Sequence, residues 1–297
     1  MSGTPAGSVL TITGRNLRLY FRDPLGVFFS LLGALIVFLL YALFLGSIQT
    51  QSIAATAPGA DPALVQGFVD AWMFAGIVAL STMSTTLGAL SVFVDDASSG
   101  RFRDFLVSPI RRGQLVLGYL LGAFVIGLVM TLIVLAVALV YLWLVSGVVL
   151  GLGQVGAIIG WIALSCAGFA ALWAFVVSFL RTPGAFAAAS TVVGTVAGFV
   201  AGAYIPVGLF PDAVREAVSA LPFAQSAMLL RGEFTGDALS ALVAGDPGAT
   251  AGLERFYGVS LFVGDWSVPA WFAAGVLAAM VVVFAVLAAI RIRSRIR

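Results

Sequence analysis

From residue 113 to residue 180 the chain carries no charged side chain. A stretch of that length holds two helices of about 20 residues each, enough to cross a hydrocarbon layer of about 30 Å twice, with a turn between them. The rest of the chain is similar in kind, with 61% hydrophobic and 9% charged residues and a mean hydropathy of +1.12. So little polar surface cannot cover so much apolar content in water. In lipid, an α-helix satisfies its own backbone hydrogen bonds, whereas an open strand or loop does not. The sequence therefore predicts an all-α polytopic membrane protein, with residues 1–297 forming one transmembrane domain.

Uninterrupted apolar runs give six spans, near 27–46, 71–94, 114–145, 155–180, 185–204 and 268–290. The third is longer than the bilayer needs at 1.5 Å per residue, so it is expected to tilt or to project beyond the membrane. Orientation follows from the arginines. With the N-terminus inside, Arg15, Arg18, Arg22, Arg101, Arg103, Arg111, Arg112, Arg181 and the four arginines of the C-terminal RIRSRIR run are cytoplasmic, twelve of the fifteen basic residues. Both termini are then cytoplasmic. Trp72, Trp143, Trp161, Trp266 and Trp271 fall near predicted outer ends, as interfacial anchors do.

Several chemistries are excluded. All fifteen basic residues are arginine and histidine is absent. A GxxxxGK[ST] phosphate loop needs its lysine, so the chain carries no ATP site of that type. Histidine triads, zinc sites and histidine proton relays are excluded with it. Cys166 is the one cysteine. It lies in an apolar run and reads as a packing residue.

Three segments outside the spans stand out. Residues 1–26 place Arg15, Arg18, Tyr20 and Arg22 beside apolar residues just before the first span, which predicts a helix lying on the membrane surface. The apolar run that follows is too long for a cleaved signal. Residues 95–112 put Arg101, Arg103 and Asp104 among Phe102, Phe105 and Leu106 at helical spacing, which predicts a short amphipathic helix between the second and third spans. Residues 205–267 open with Leu209, Phe210, Val214, Val218, Leu221 and Phe223, too apolar for a solvated loop. Two short helices broken at Pro222 and dipping into the membrane would bury them, and residues 236–265 are expected to form an exposed loop.

Within the spans, Ser81, Ser84, Thr85 and Gly88 share one helical face, and Ser190, Gly194, Gly198 and Gly202 recur every fourth residue. Such faces pack helices closely or line a path. Arg231 and Glu233 are expected to form a solvated surface pair.

Three stretches in order, RNLRLYFRDP, SGRFRDFLVSPIRRGQLVLGYLLG and GAYIPVGLFPDAVREAVSALPFAQSAMLLRGEF, resemble the membrane permeases of ABC type 2 exporters, which export drugs, antibiotics and lipid-linked glycans. The sequence departs from that pattern where Asp95, Asp96 and Ser98 replace a Glu-Arg pair and where Leu221 replaces an Asn. The resemblance implies a bacterial cytoplasmic membrane and a pair of permeases, homodimeric or heterodimeric. It also implies two separate ATP-binding subunits that hold ATP and Mg, so this chain needs no cofactor of its own and has no nucleic-acid partner. Arg101, Phe102, Arg103, Asp104, Phe105 and Leu106 would dock in the ATPase, braced by the N-terminal helix. Ser81, Ser84, Thr85, Gly194 and Gly198 are candidates for the path of a hydrophobic or amphipathic substrate. A secondary exporter or flippase working without ATP, and a membrane scaffold, are the alternatives.

Overall fold

The computed structural model describes residues 5–56, 59–102, 110–243 and 246–295. Helix α1 (Pro5–Phe21) precedes α2 (Pro24–Leu40), which runs through one π-helical turn (Tyr41–Leu45) into α3 (Gly46–Thr56). Then come α4 (Pro62–Gly88), α5 (Ser91–Ser98), α6 (Arg112–Leu144), α7 (Leu152–Val177) and α8 (Pro183–Val200). A 3-10 turn (Val207–Leu209) leads to α9 (Asp212–Ser219), α10 (Pro222–Val243) and α11 (Pro247–Tyr257). A two-residue hairpin, β1 (Phe262–Val263) with β2 (Trp266–Ser267), precedes α12 (Ala270–Arg295). Among the described residues, six helical stretches are long and apolar enough to cross a membrane: α2 with α3, α4 with α5, α6, α7, α8 and α12.

Four helices begin the same way. Asp23, Asp61, Thr182 and Asp246 each stand at an N-cap before a proline, and their side chains accept from the backbone N–H groups of Gly26, Ala63, Ala185 and Gly248. The cap oxygen satisfies a donor that the first turn leaves free, and proline at the first helical position gives up only an N–H that had no partner there.

Helix α4 is the axis of the bundle. In its most apolar window 78% of residues are buried, against 17% for α2 with α3 and 11% for α8. Helices α2, α6, α7 and α10 pack around it, and α12 packs on α7. The outward faces of α2, the π turn after it and α8 carry Phe29, Ile36, Leu43, Val192 and Val196, all exposed. That is the pattern of surfaces facing lipid or another chain rather than water.

The structure corrects the sequence reading at five places. The first two spans run beyond the ends 46 and 71 that their apolar runs predict: α3 extends the first span to Thr56 and α4 begins at Pro62. Residues 236–265 are no exposed loop, because α10 continues to Val243 and α11 and the hairpin follow. Of the two short helices placed at Pro222, one is the eight-residue α9 and the other is α10, with 22 residues. Arg231 is not on the surface: it is fully buried, while Glu233 accepts from the Trp161 indole N–H at 3.3 Å. Trp72, expected as an interfacial anchor, is buried as well.

Candidate functional site

The turn at Ala89 and Leu90 separates α4 from α5 and brings Asp96 to the end of the bundle that carries α1. Its side chain is fully buried. An isolated carboxylate in that position would lose its hydration without compensation. Here three elements surround it. Arg15 on α1 donates from Nη1 at 2.7 Å and from Nη2 at 2.8 Å, a bidentate pair. Tyr119 on α6 donates its hydroxyl at 2.5 Å. Arg101, at the start of the segment expected to couple, donates from Nη1 at 3.2 Å. The Asp96 carboxylate raises the Arg15 guanidinium above its ordinary value, chiefly through that hydrogen bond.

Apolar packing holds these groups in place. Phe93, Phe102 and Tyr119 meet edge-on or tilted, with centroids 5.2 to 6.2 Å apart. Helix α1 lies along α6 because Gly118 and Gly122, one turn apart, leave room for Ile12 and Asn16; a Cβ at Gly118 would stand 2.6 Å from Ile12. The residues expected on a surface helix therefore divide. Arg15 and Tyr20 point into the protein, with the Tyr20 hydroxyl donating to Ser30 at 2.8 Å, whereas Arg18 and Arg22 are exposed. Of the expected coupling residues, Arg101 and Phe102 join the Asp96 group, and Arg103, Asp104, Phe105 and Leu106 lie outside the described residues.

Above this group opens a cleft of about 950 Å³ between α2, α4, α5 and α8. That volume is in the range of sites for drug-sized molecules. Apolar residues dominate its walls, with the polar groups of Ser30, Ser84, Ser190 and Thr191 spread among them. Asp95, Asp96 and Arg101 close its α1 end. The Ser190 hydroxyl oxygen is buried and has no hydrogen-bond partner among the described residues.

The five path candidates do not all reach this space. Ser84 and Gly194 line it. Ser81 and Thr85 are buried, with their hydroxyls turned back to the carbonyls of Ile77 and Ser81 at 2.8 and 2.6 Å. Gly198 lies beneath the ring of Tyr204, which fills the place a Cβ would take.

A family model described as ABC-2 family transporter protein matches residues 46–290. The chain belongs to the ABC-2 transporter family. No curated protein matches it. As an ABC-2 protein the chain is the multi-pass permease component of an ABC transporter, the membrane part that associates with an ATP-binding subunit. The Asp96 group is the part of this permease that the sequence did not disclose. Its signal was faint: Arg15 and Asp96 are 81 positions apart, and no local periodicity links them.

Proposed function

We propose that this chain is the permease of an ATP-driven exporter, working as one of two permeases with two ATP-binding subunits that supply ATP and Mg. The α1 end faces the cytoplasm, as the arginine distribution favours, and α9 with the start of α10 dips into the outer leaflet. A hydrophobic or amphipathic substrate, such as a drug, an antibiotic or a lipid-linked molecule, enters the cleft and leaves outward.

One observation carries this reading: Arg101 and Asp96 belong at once to the cleft wall and to the group that holds α1, α6 and the start of the coupling segment. A displacement imposed on that segment by an ATPase therefore reaches Asp96 at the cleft wall through the charged Arg101 hydrogen bond. Asp96 is a positioning residue here, and Ser84 and Gly194 are the path residues with access to substrate.

The test is to co-reconstitute the chain with an ABC ATP-binding subunit in lipid nanodiscs and to measure ATP hydrolysis with and without fluorescent amphiphiles. The expected result is hydrolysis that amphiphiles stimulate. Failure of every such subunit to associate would overturn the proposal, as would a transport signal that follows an ion gradient without ATP.

A further inference from the structure

The cleft stops halfway along the bundle. Its walls reach Ile36 on α2, Leu80 on α4 and Ala197 on α8, and beyond them only Tyr204 contributes. Tyr204 belongs to the short segment 201–204, which stands at that end of the cleft. Helix α8 ends on Gly202, whose φ of +63° is left-handed. The N–H of Gly202 bonds back to Phe199 at 2.9 Å and that of Ala203 to Gly198 at 2.8 Å, the paired bonds that reverse a chain at a helix end. The reversal lays Tyr204 back on its own helix. Its ring covers Gly198 and its hydroxyl donates to the Gly194 carbonyl at 3.2 Å. Ala203 meanwhile presses on α4 at Gly76, where a Cβ would stand 3.2 Å from it. Of the recurring small residues of α8, Gly198 is thus the seat of the Tyr204 ring.

This fold-back is held by a buried cation. Arg231 on α10 is fully buried, and among the described residues no carboxylate is paired with it. Burial lowers its guanidinium to about 10, so it remains charged near neutral pH. Its Nη2 donates to the carbonyls of Ala201 and Gly202 at 2.8 and 2.7 Å, and its Nη1 reaches the Gly258 carbonyl at 3.4 Å. Two helices, α8 and α11, end at these carbonyls, and the partial negative charge of a helix C-terminus favours a cation there. The guanidinium also stands 5.4 Å from the centroid of the Trp72 ring on α4, a cation–π distance. Gly258 has φ +67°, and a Cβ there would come within 2.9 Å of Arg231. Tyr41, at the start of the π turn, donates to the Tyr204 carbonyl at 3.1 Å and so ties the first span to the same segment.

The geometry points to residues 201–204 as the plug that closes the cleft at the end away from α1, with Tyr204 as its stopper and Arg231 as the latch that seats it. The inference rests on the cleft being the transport path. Passage of substrate then requires Tyr204 to leave Gly198. The partners Arg231 gives up are backbone carbonyls and an aromatic face rather than a carboxylate, so release strands no buried anion.

Sided thiol labelling tests this without ATPase or substrate, so its failure and the failure of the exporter reading are told apart. In a Cys166→Ala background, Thr195→Cys puts one thiol in the cleft wall. In a separate chain, Ser240→Cys on the exposed face of α10 identifies which side of a sealed vesicle carries the plug end. A membrane-impermeant maleimide added on that side should leave the Thr195→Cys thiol unreacted. Adding Tyr204→Ala, which removes the stopper ring and its hydroxyl bond to Gly194, or Arg231→Met, which removes charge-assisted bonds to three carbonyls, should speed its labelling by about tenfold or more. If Arg231→Met does not give a monodisperse protein, Tyr204→Ala decides alone, since it leaves the cation seated. Labelling from the plug side in the background chain, or no gain in a monodisperse Tyr204→Ala chain, overturns the inference.

Discussion

Removing Arg15 should harm the protein more than removing the charge of Asp96, although the two groups share one ion pair. In Arg15→Ala the carboxylate of Asp96 remains fully buried and, among the described residues, keeps only Tyr119 and Arg101, the latter through a bond of 3.2 Å from a side chain that is 55% exposed. Leaving a buried charge without its main partner costs about 3–5 kcal/mol. In Asp96→Asn the two arginines lose their carboxylate, but both reach solvent, at 30% and 55% exposure, and Arg15 keeps the Asn16 side-chain oxygen at 3.1 Å. The exposed Arg101 pair contributes little, about 0–1 kcal/mol. The bidentate Arg15 pair contributes about 1.5–3 kcal/mol as a charged hydrogen bond. The cost of Asp96→Asn is therefore about 1.5–4 kcal/mol, and the double variant should fall well short of the sum of the singles. Unfolding in a reversible SDS titration reports this through the thiol of Cys166, which is buried and is the one cysteine of the chain. Equal losses from the two single variants, adding without a coupling of at least about 0.5 kcal/mol, would refute the reasoning.

Other outcomes follow from the same contacts. Gly198→Ala must displace the Tyr204 ring and should destabilise by about 1–3 kcal/mol in the same titration. Gly194→Ala, with nothing within 4 Å of its added methyl, should be neutral or gain about 0.5–1 kcal/mol from helix propensity. A loss at Gly194 as large as that at Gly198 would contradict the account of the Tyr204 seat. Asp61→Ala removes the cap at Ala63, a bond of 2.8 Å, and should cost about 1 kcal/mol, with hydrogen exchange accelerated in the first turn of α4 and not at Ser81.

The spans were legible because their signal is local. Long apolar runs fixed α6, α7, α8 and α12 to within a few residues of their observed ends. The ends of α3 and α4 were missed because polarity was weighed above punctuation. The stretch containing Gln49, Thr50 and Gln51 is polar, yet Asp61-Pro62 marks the start of α4 as clearly as Asp23-Pro24 marks α2. Asp246-Pro247 marks α11 in the same way. Arg231 was misplaced for a different reason. A single arginine near a predicted loop is usually solvated, and the acceptors that allow its burial belong to helix ends at positions 201, 202 and 258, which no pattern around residue 231 announces. The Asp96 group was hidden likewise, since its partners come from α1, α6 and Arg101 and are related only by the packing of α1 on the glycines of α6. For the path residues, the helical face was read correctly, but hydroxyls on a buried face satisfied themselves on their own backbone, which left Ser84 and not Ser81 or Thr85 at the cleft.

The most direct measurement of the central claim is the ratio of amphiphile transported to ATP hydrolysed, in proteoliposomes holding the chain and its ATP-binding subunit, for the unaltered chain and for Arg101→Gln. If the Asp96 group transmits movement between the coupling segment and the cleft, Arg101→Gln keeps ATP hydrolysis and lowers the ratio severalfold. An unchanged ratio in a fully assembled complex would contradict the account.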